Sequence, residues 1–130
     1  MIYLDTSVAL SLLLEEEDAE HAAEALARAS RQGHTISSSE LLRVELARAR
    51  VRESLDPEPF ESLLASVSLV RIAPRIIEGA CAIEHHIKSL DALHLATAQV
   101  LDGAVEDLRV FAYDRRIREV AVALGLTVYE

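Results

Sequence analysis

The chain has 130 residues, one cysteine, and 13 Lys or Arg residues against 22 Asp or Glu, a formal net charge of −9. This length suits one compact domain over residues 1–130 that buries ~65–70% of its unfolded surface, so no disulfide staple is needed, and a lone thiol builds neither a disulfide framework nor a zinc cluster. The charge argues against passive binding to a nucleic-acid backbone by bulk electrostatics. No apolar run approaches the ~20 residues that span a bilayer, although 51% of the residues are hydrophobic.

Short β-rich runs alternate with longer helical ones, the signature of an α/β domain with a central parallel sheet of about five strands flanked by helices. Met1 leads straight into Ile2-Tyr3-Leu4 without an export-type leader, so a soluble, cytoplasmic protein is expected. Ile2 to Asp5 reads as the first strand, and the hydroxyls of Thr6-Ser7 suit the cap of a helix through Val8 to Leu14. The acidic run from Glu15 to Asp18, continued by Glu20, reads as a solvated helix end. A second helix spans about Asp18 to Ala29 and closes at Gly33.

Thr35 to Ser37 is a short strand, and Ser38 or Ser39 caps a helix that continues to about Glu53. Pro57 and Pro59 mark a turn and a new helix start before Phe60 to Val67. The third strand is Ser68 to Ala73. Helices follow around Arg75 to His85 and Leu90 to Leu101, with Cys81 expected in helix core. Arg109 to Tyr113 makes strand four, Arg115 to Leu124 a helix ended by Gly125, and Leu126 to Tyr129 strand five. No repeat, low-complexity tract or dividing linker interrupts this order.

Four acids sit where local structure gives little reason for one: Asp5, Glu45, Asp91 and Asp114. Burying a lone carboxylate is unfavourable, and a shared divalent cation relieves several at once. Asp5 and Asp114 each end a strand, where open α/β sheets bind ligands near the reversal of strand order. Glu45 lies three or four residues from Leu41, Leu42 and Ala49, on or beside the apolar stripe of its helix. That implies an inward carboxylate, with pairing to Arg48 or Arg52 as the alternative. Asp91 also suits the dipole of a helix start, and Asp114 also suits an N-cap.

Twelve of the 13 basic residues are arginine. Arg43, Arg48, Arg50 and Arg52 cluster beside Glu45, and Arg115, Arg116 and Arg118 beside Asp114; either cluster is a solvated helix face or a phosphate-binding rim. His85 and His86 are adjacent and point to different faces, and His94 lies inside a helix. Satisfied core or surface roles are expected for them, not a histidine metal site.

Met-Ile-Tyr-Leu-Asp5-Thr6-Ser7, Leu-Leu-Arg43-Val-Glu45-Leu, Ser-Leu-Asp91-Ala-Leu-His94-Leu-Ala-Thr-Ala and Tyr-Asp114-Arg115-Arg116 before Ala-Leu-Gly-Leu-Thr-Val occur in this order over nearly the whole chain. Together they resemble the PIN-domain ribonucleases, specifically the VapC toxins of type II toxin–antitoxin pairs. The resemblance implies a parallel sheet flanked by helices, a catalytic set of Asp5, Glu45, Asp91 and Asp114 that binds Mg²⁺ or Mn²⁺, and a supporting hydroxyl at Thr6 for the first aspartate. It also implies an RNA substrate, an antitoxin partner bound across the active-site groove, and a homodimer. Ala112 departs from the family, whose members often carry Thr or Ser two residues before the fourth acid.

Within that frame Asp5, Asp91 and Asp114 are expected to ligate the metal, and Glu45 to orient or deprotonate the attacking water. Arg43, Arg115 and Arg116 are candidate holders of flanking phosphates. A phosphoacceptor receiver domain fits poorly, because the sole lysine is Lys88. A haloacid-dehalogenase-type phosphatase fails because Ser7 occupies the position of its second aspartate. A housekeeping RNA-processing nuclease of the same fold and a catalytically silent binding module of that fold remain as alternatives.

Overall fold

Alternation along the strands sends successive side chains to opposite faces of the sheet, and in this chain both faces are apolar. The computed structural model describes residues 1–130. Strands β1 (Ile2–Leu4), β2 (Ile36–Ser39), β3 (Ser68–Val70), β4 (Arg109–Phe111) and β5 (Thr127–Val128) form one fully parallel sheet in the order β3-β2-β1-β4-β5. The chain builds outward from β1 first to one side and then to the other. The strand order therefore reverses at β1, the point beyond whose carboxyl end open α/β sheets bind ligands.

Ile2, Leu4 and Phe111 point to one face, where they pack with Val8 and Ala9 of α1 (Thr6–Leu13), Ala22, Ala25 and Leu26 of α2 (Ala19–Arg31), Leu42 and Leu46 of α3 (Leu41–Glu53), and Phe60 of α4 (Pro57–Ala65). Tyr3, Val110 and Ala112 point to the other, against Leu95 and Ala98 of α6 (Ser89–Asp102) and Ile117, Val120 and Ala121 of α7 (Arg115–Ala123). α5 (Pro74–Ala82) packs on α6 so closely that a Cβ at Gly79 would lie 3.4 Å from that of Ala96.

The parallel sheet and the order of elements match the sequence reading, but several boundaries move. Strand β1 ends at Leu4, and Asp5 is the N-cap of α1, its carboxylate accepting from the Ser7 amide; the cap is the acid, not the hydroxyls after it. β2 runs on through Ser38 and Ser39, which pair with Leu69 and Val70, so that the N-cap position of α3 falls on Glu40 while the Ser39 hydroxyl still reaches the first amide of the helix. Both serine hydroxyls serve the backbone: Ser38 Oγ donates to the Leu4 carbonyl at 2.7 Å, and Ser39 Oγ accepts from the Leu41 amide at 3.1 Å. β3 stops at Val70, because Pro74 opens α5 three residues on from Arg71. Gly33 and Gly125 take positive φ, +82° and +84°, just past α2 and α7, where an L side chain would be strained.

The expectation for Cys81 is overturned. It is exposed, since α5 commits only Ile76 to the buried core, and its Cys81 side borders a shallow apolar hollow with Ile77, Ile83 and Ile87. No helix is long and apolar enough to cross a membrane.

Candidate active site

The site grows from the end of β1. The Asp5 amide donates to the Phe111 carbonyl at 2.9 Å, which holds the ends of β1 and β4 side by side. Asp5 is 2% exposed, and its Oδ2 accepts from both the amide and the hydroxyl of Ser7, at 3.0 and 2.5 Å. The same Ser7 hydroxyl accepts from the amides of Tyr113 (3.0 Å) and Asp114 (3.4 Å). Ser7 is thus a clip between the two aspartate-bearing strand ends. It also supplies order around Asp114 that Ala112, buried and without a hydroxyl, does not.

Glu45 projects inward from α3, as its place beside the apolar stripe predicted, and meets a buried histidine. His94 Nε2 lies 2.7 Å from Glu45 Oε1, and Thr6 Oγ1 donates to the same oxygen at 2.8 Å. His94 Nδ1 is 2.7 Å from the Tyr3 hydroxyl, and its Nε2 is 3.1 Å from Thr6 Oγ1. The expected satisfied role of His94 in the core is what the structure shows. Thr6 supports Glu45, whereas the hydroxyl beside Asp5 belongs to Ser7. Ser7 and the Tyr3–His94 link were missed as site residues; the run Asp-Thr-Ser was the only sequence signal for the former, and a polar tip on an otherwise apolar strand for the latter.

Electrostatics separates the acids. Burial pushes the Asp5 carboxyl up, against the opposing pull of His94 and the Ser7 hydrogen bonds. Burial also raises Asp91, reinforced by the negative fields of Asp5 and Asp114. Glu45 goes the other way: burial works against its charge, but the hydrogen bond and charge of His94, with the Thr6 bond, hold it below the ordinary value. Burial likewise opposes charge on His94, and the Glu45 bond together with the fields of Asp5, Glu45 and Asp91 raises it nonetheless. A histidine–carboxylate pair in which each member favours the charged form of the other therefore sits behind a cluster of mutually repelling aspartates. Burial lifts the Tyr3 hydroxyl far above its normal range, so it remains neutral.

Asp91 lies in the first turn of α6, and Asp114 caps α7 through Oδ1, which accepts from the Ile117 amide at 3.0 Å. Both helix-terminus readings are therefore correct as local structure, and Asp91 still lies near enough to Asp5 and Asp114 for their charges to act on it. No three His, Cys, Asp or Glu side chains stand in ligand geometry around one point. The donor set nonetheless fits a hard divalent cation in its chemistry: the protein hydrogen bonds to Asp5, Glu45 and Asp114 each fall on one carboxylate oxygen and leave the other unclaimed.

The arginines divide. Arg115 pairs with Glu119 at 3.0 Å, and Arg116 donates to the His86 carbonyl at 2.8 Å and meets Glu119 at 3.5 Å. Arg43 is exposed on α3 without an ion pair, beside Glu40, Val44 and Arg48. Arg52 pairs with Glu53, not Glu45.

A parallel sheet reversing at β1, with acids from β1, α3, α6 and the end of β4 gathered at its carboxyl edge, defines the PIN class of domain. Residues 2–123 match the PIN domain model, and the chain belongs to that family. It is 35% identical over 129 residues to Ribonuclease VapC46 of Mycobacterium tuberculosis, covering 98% of this chain and 95% of that protein. It is also 35% identical over 130 residues to Ribonuclease VapC35 of the same species, with the same coverage. Among solved structures the fold is similar to a toxin–antitoxin complex from Klebsiella pneumoniae (TM-score 0.65, 21% identity, 88% of this chain and 87% of that one). It is likewise similar to VapBC2 from Rickettsia felis bound to a promoter DNA fragment (TM-score 0.69, 15% identity, 99% and 98%).

Proposed function

We propose that this chain, as one PIN domain over residues 1–130, is a metal-dependent endoribonuclease and the toxin of a type II toxin–antitoxin pair. Asp5, Asp91 and Asp114 would hold Mg²⁺ or Mn²⁺, with Glu45 beside them. The observation that carries this reading is the accumulation of carboxylates at one sheet edge, where burial and mutual repulsion raise both Asp5 and Asp91. Such a site is incomplete without a cation. The chemistry supplied on binding is polarisation of a phosphodiester, easier deprotonation of water and stabilisation of charge on the leaving oxygen.

The protein's own groups do the positioning. Ser7 fixes one oxygen of Asp5 and leaves the other without a protein partner. Thr6 and His94 fix Glu45 Oε1 and keep the group ionised, leaving Oε2 to orient a water and take its proton. Of the three candidate arginines, Arg43 alone is exposed without an ion pair, whereas Arg115 and Arg116 would first have to release Glu119 to hold a flanking phosphate. The relatives named ribonucleases, at 35% identity across nearly the whole chain, support RNA as the substrate. The toxin–antitoxin neighbours support an antitoxin partner, and a homodimer completes the proposal. An intact acid set favours a nuclease over a silent binding module.

Expression of the chain with and without its genomic neighbour, followed by sequencing of new RNA ends, tests this reading. A dominant cut that appears on induction, disappears in Asp5→Asn and is suppressed by the neighbour is expected. Identical RNA ends in wild type and Asp5→Asn would exclude it.

A further inference from the structure

Beside the acid edge lies a second hollow, of about 480 Å³, which the mechanism above does not use. Ser7 and Tyr113 connect the two, since Ser7 clips Asp5 to the Tyr113-Asp114 backbone and both residues line the hollow. Leu10, Leu14 and Tyr113 give it apolar walls, and Glu16, Glu17 and Asp18 give it a rim of acceptors, with Arg52 as its one basic residue. Ser11 is 4% exposed and also lines it. The Ser11 hydroxyl makes no hydrogen bond to the protein and keeps some contact with solvent.

The chain has only three Tyr and two Phe, yet Phe111, Tyr113 and Tyr129 cluster here with His21. The ring centroids of Phe111 and Tyr113 are 5.5 Å apart, and those of His21 and Tyr113 are 5.7 Å apart. His21 Nδ1 and the Tyr113 hydroxyl are hydrogen-bonded at 2.5 Å, which fixes the ring's orientation.

We propose that this hollow takes the base of a nucleotide flanking the scissile phosphate, and that it prefers guanine. The inference rests on the nuclease reading and adds a subsite to it. Single-stranded RNA is recognised by unstacking a base onto an aromatic side chain and reading its Watson–Crick edge. Tyr113 supplies the ring. A rim of carboxylates selects for donors: guanine offers N1–H and its 2-amino group side by side to one carboxylate, whereas uracil offers a single N3–H between two carbonyls that carboxylates repel. Adenine and cytosine each offer one amino group. Rim acids also repel the backbone, so the base enters and the phosphates stay outside.

The test uses short single-stranded RNAs that differ only in one base near the cut. Cleavage with Mn²⁺ is read as kcat/KM for wild type, Tyr113→Leu, Tyr113→Phe and the double variant Glu16→Gln/Asp18→Asn. Binding of the same RNAs is read by fluorescence anisotropy with each substitution placed in Asp5→Asn, and melting curves verify folding. The wild type should favour guanine over uracil at one fixed flanking position. Tyr113→Leu should weaken binding roughly five- to a hundredfold for every base, as loss of one stacking platform does, and Tyr113→Phe should restore it. The double variant should flatten the preference while still binding RNA.

Equal cutting of all four RNAs, or an unchanged preference in the double variant, overturns the subsite and leaves the nuclease reading intact. A base preference in binding without cleavage by the wild type supports the subsite and removes the nuclease reading. If these substitutions leave RNA binding untouched but weaken binding of the partner protein, the hollow belongs to a basic side chain of that partner, and the inference is wrong.

Discussion

At the scale of single residues, Asp5 and Asp91 are held in a destabilising arrangement that a cation would relieve. A ligand at 100 times its dissociation constant adds ~2.7 kcal/mol, which for a domain of this size raises the melting temperature by several degrees. Mn²⁺ should therefore stabilise the wild type, and the shift should vanish in Asp5→Asn; equal shifts in the two proteins would remove Asp5 from the metal site. Asp91 makes the sharper case, because its position in the first turn of α6 gives it a purely structural explanation. Asparagine keeps the size of that side chain and removes its charge from a crowded site. Asp91→Asn should thus change stability by less than ~1 kcal/mol while abolishing RNA cleavage. Full activity would return Asp91 to the helix dipole alone.

Between elements, the Tyr3–His94–Glu45–Thr6 network ties β1 and α1 to α3 and α6. Its pH dependence has a definite sign. His94 is raised in the folded state, so the stability it contributes is fully present below the ordinary imidazole value of about 6.5 and is lost as pH rises through the folded value. Thermal melts of the metal-free protein should show stability falling with a slope of up to ~1.4 kcal/mol per pH unit in that window, and a flatter profile in His94→Gln. A wild-type profile as flat as the variant's would mean that His94 is neutral.

This network also marks where the sequence stops being informative. Helix and strand order was legible because a period of 3.6 survives in Ala22-Ala25-Leu26-Ala29 of α2, and because short, continuous apolar runs such as Ile2-Tyr3-Leu4 mark strands buried on both faces. The four acids were legible because charge in apolar surroundings needs a reason. Which hydroxyl serves which acid was not, since Thr6 and Ser7 are neighbours in sequence and only helical rotation sends one to Glu45 and the other to Asp5. Cys81 was misplaced for a related reason: Gly-Ala-Cys-Ala-Ile is apolar on every side, so its sequence does not say which face α5 buries.

For the whole molecule, a net charge of −9, with four of the acids drawn together at one sheet edge, sets the terms for any partner. The pocket attracts cations in general, and a guanidinium from an inserted antitoxin segment would meet the same unclaimed oxygens of Asp5 and Asp114 that a metal would. Metal and partner should then compete. In titrations of the proposed antitoxin into this protein, millimolar Mn²⁺ should weaken binding to the wild type, beyond what an equal ionic strength of NaCl does by screening. Asp114→Ala should weaken binding in the absence of metal and also reduce the effect of Mn²⁺, because one substitution removes an oxygen from both ligands. If affinity is indifferent to Mn²⁺ and to Asp114→Ala alike, the antitoxin must act from a remote surface, such as one that breaks a dimer, and plugging of the pocket is excluded.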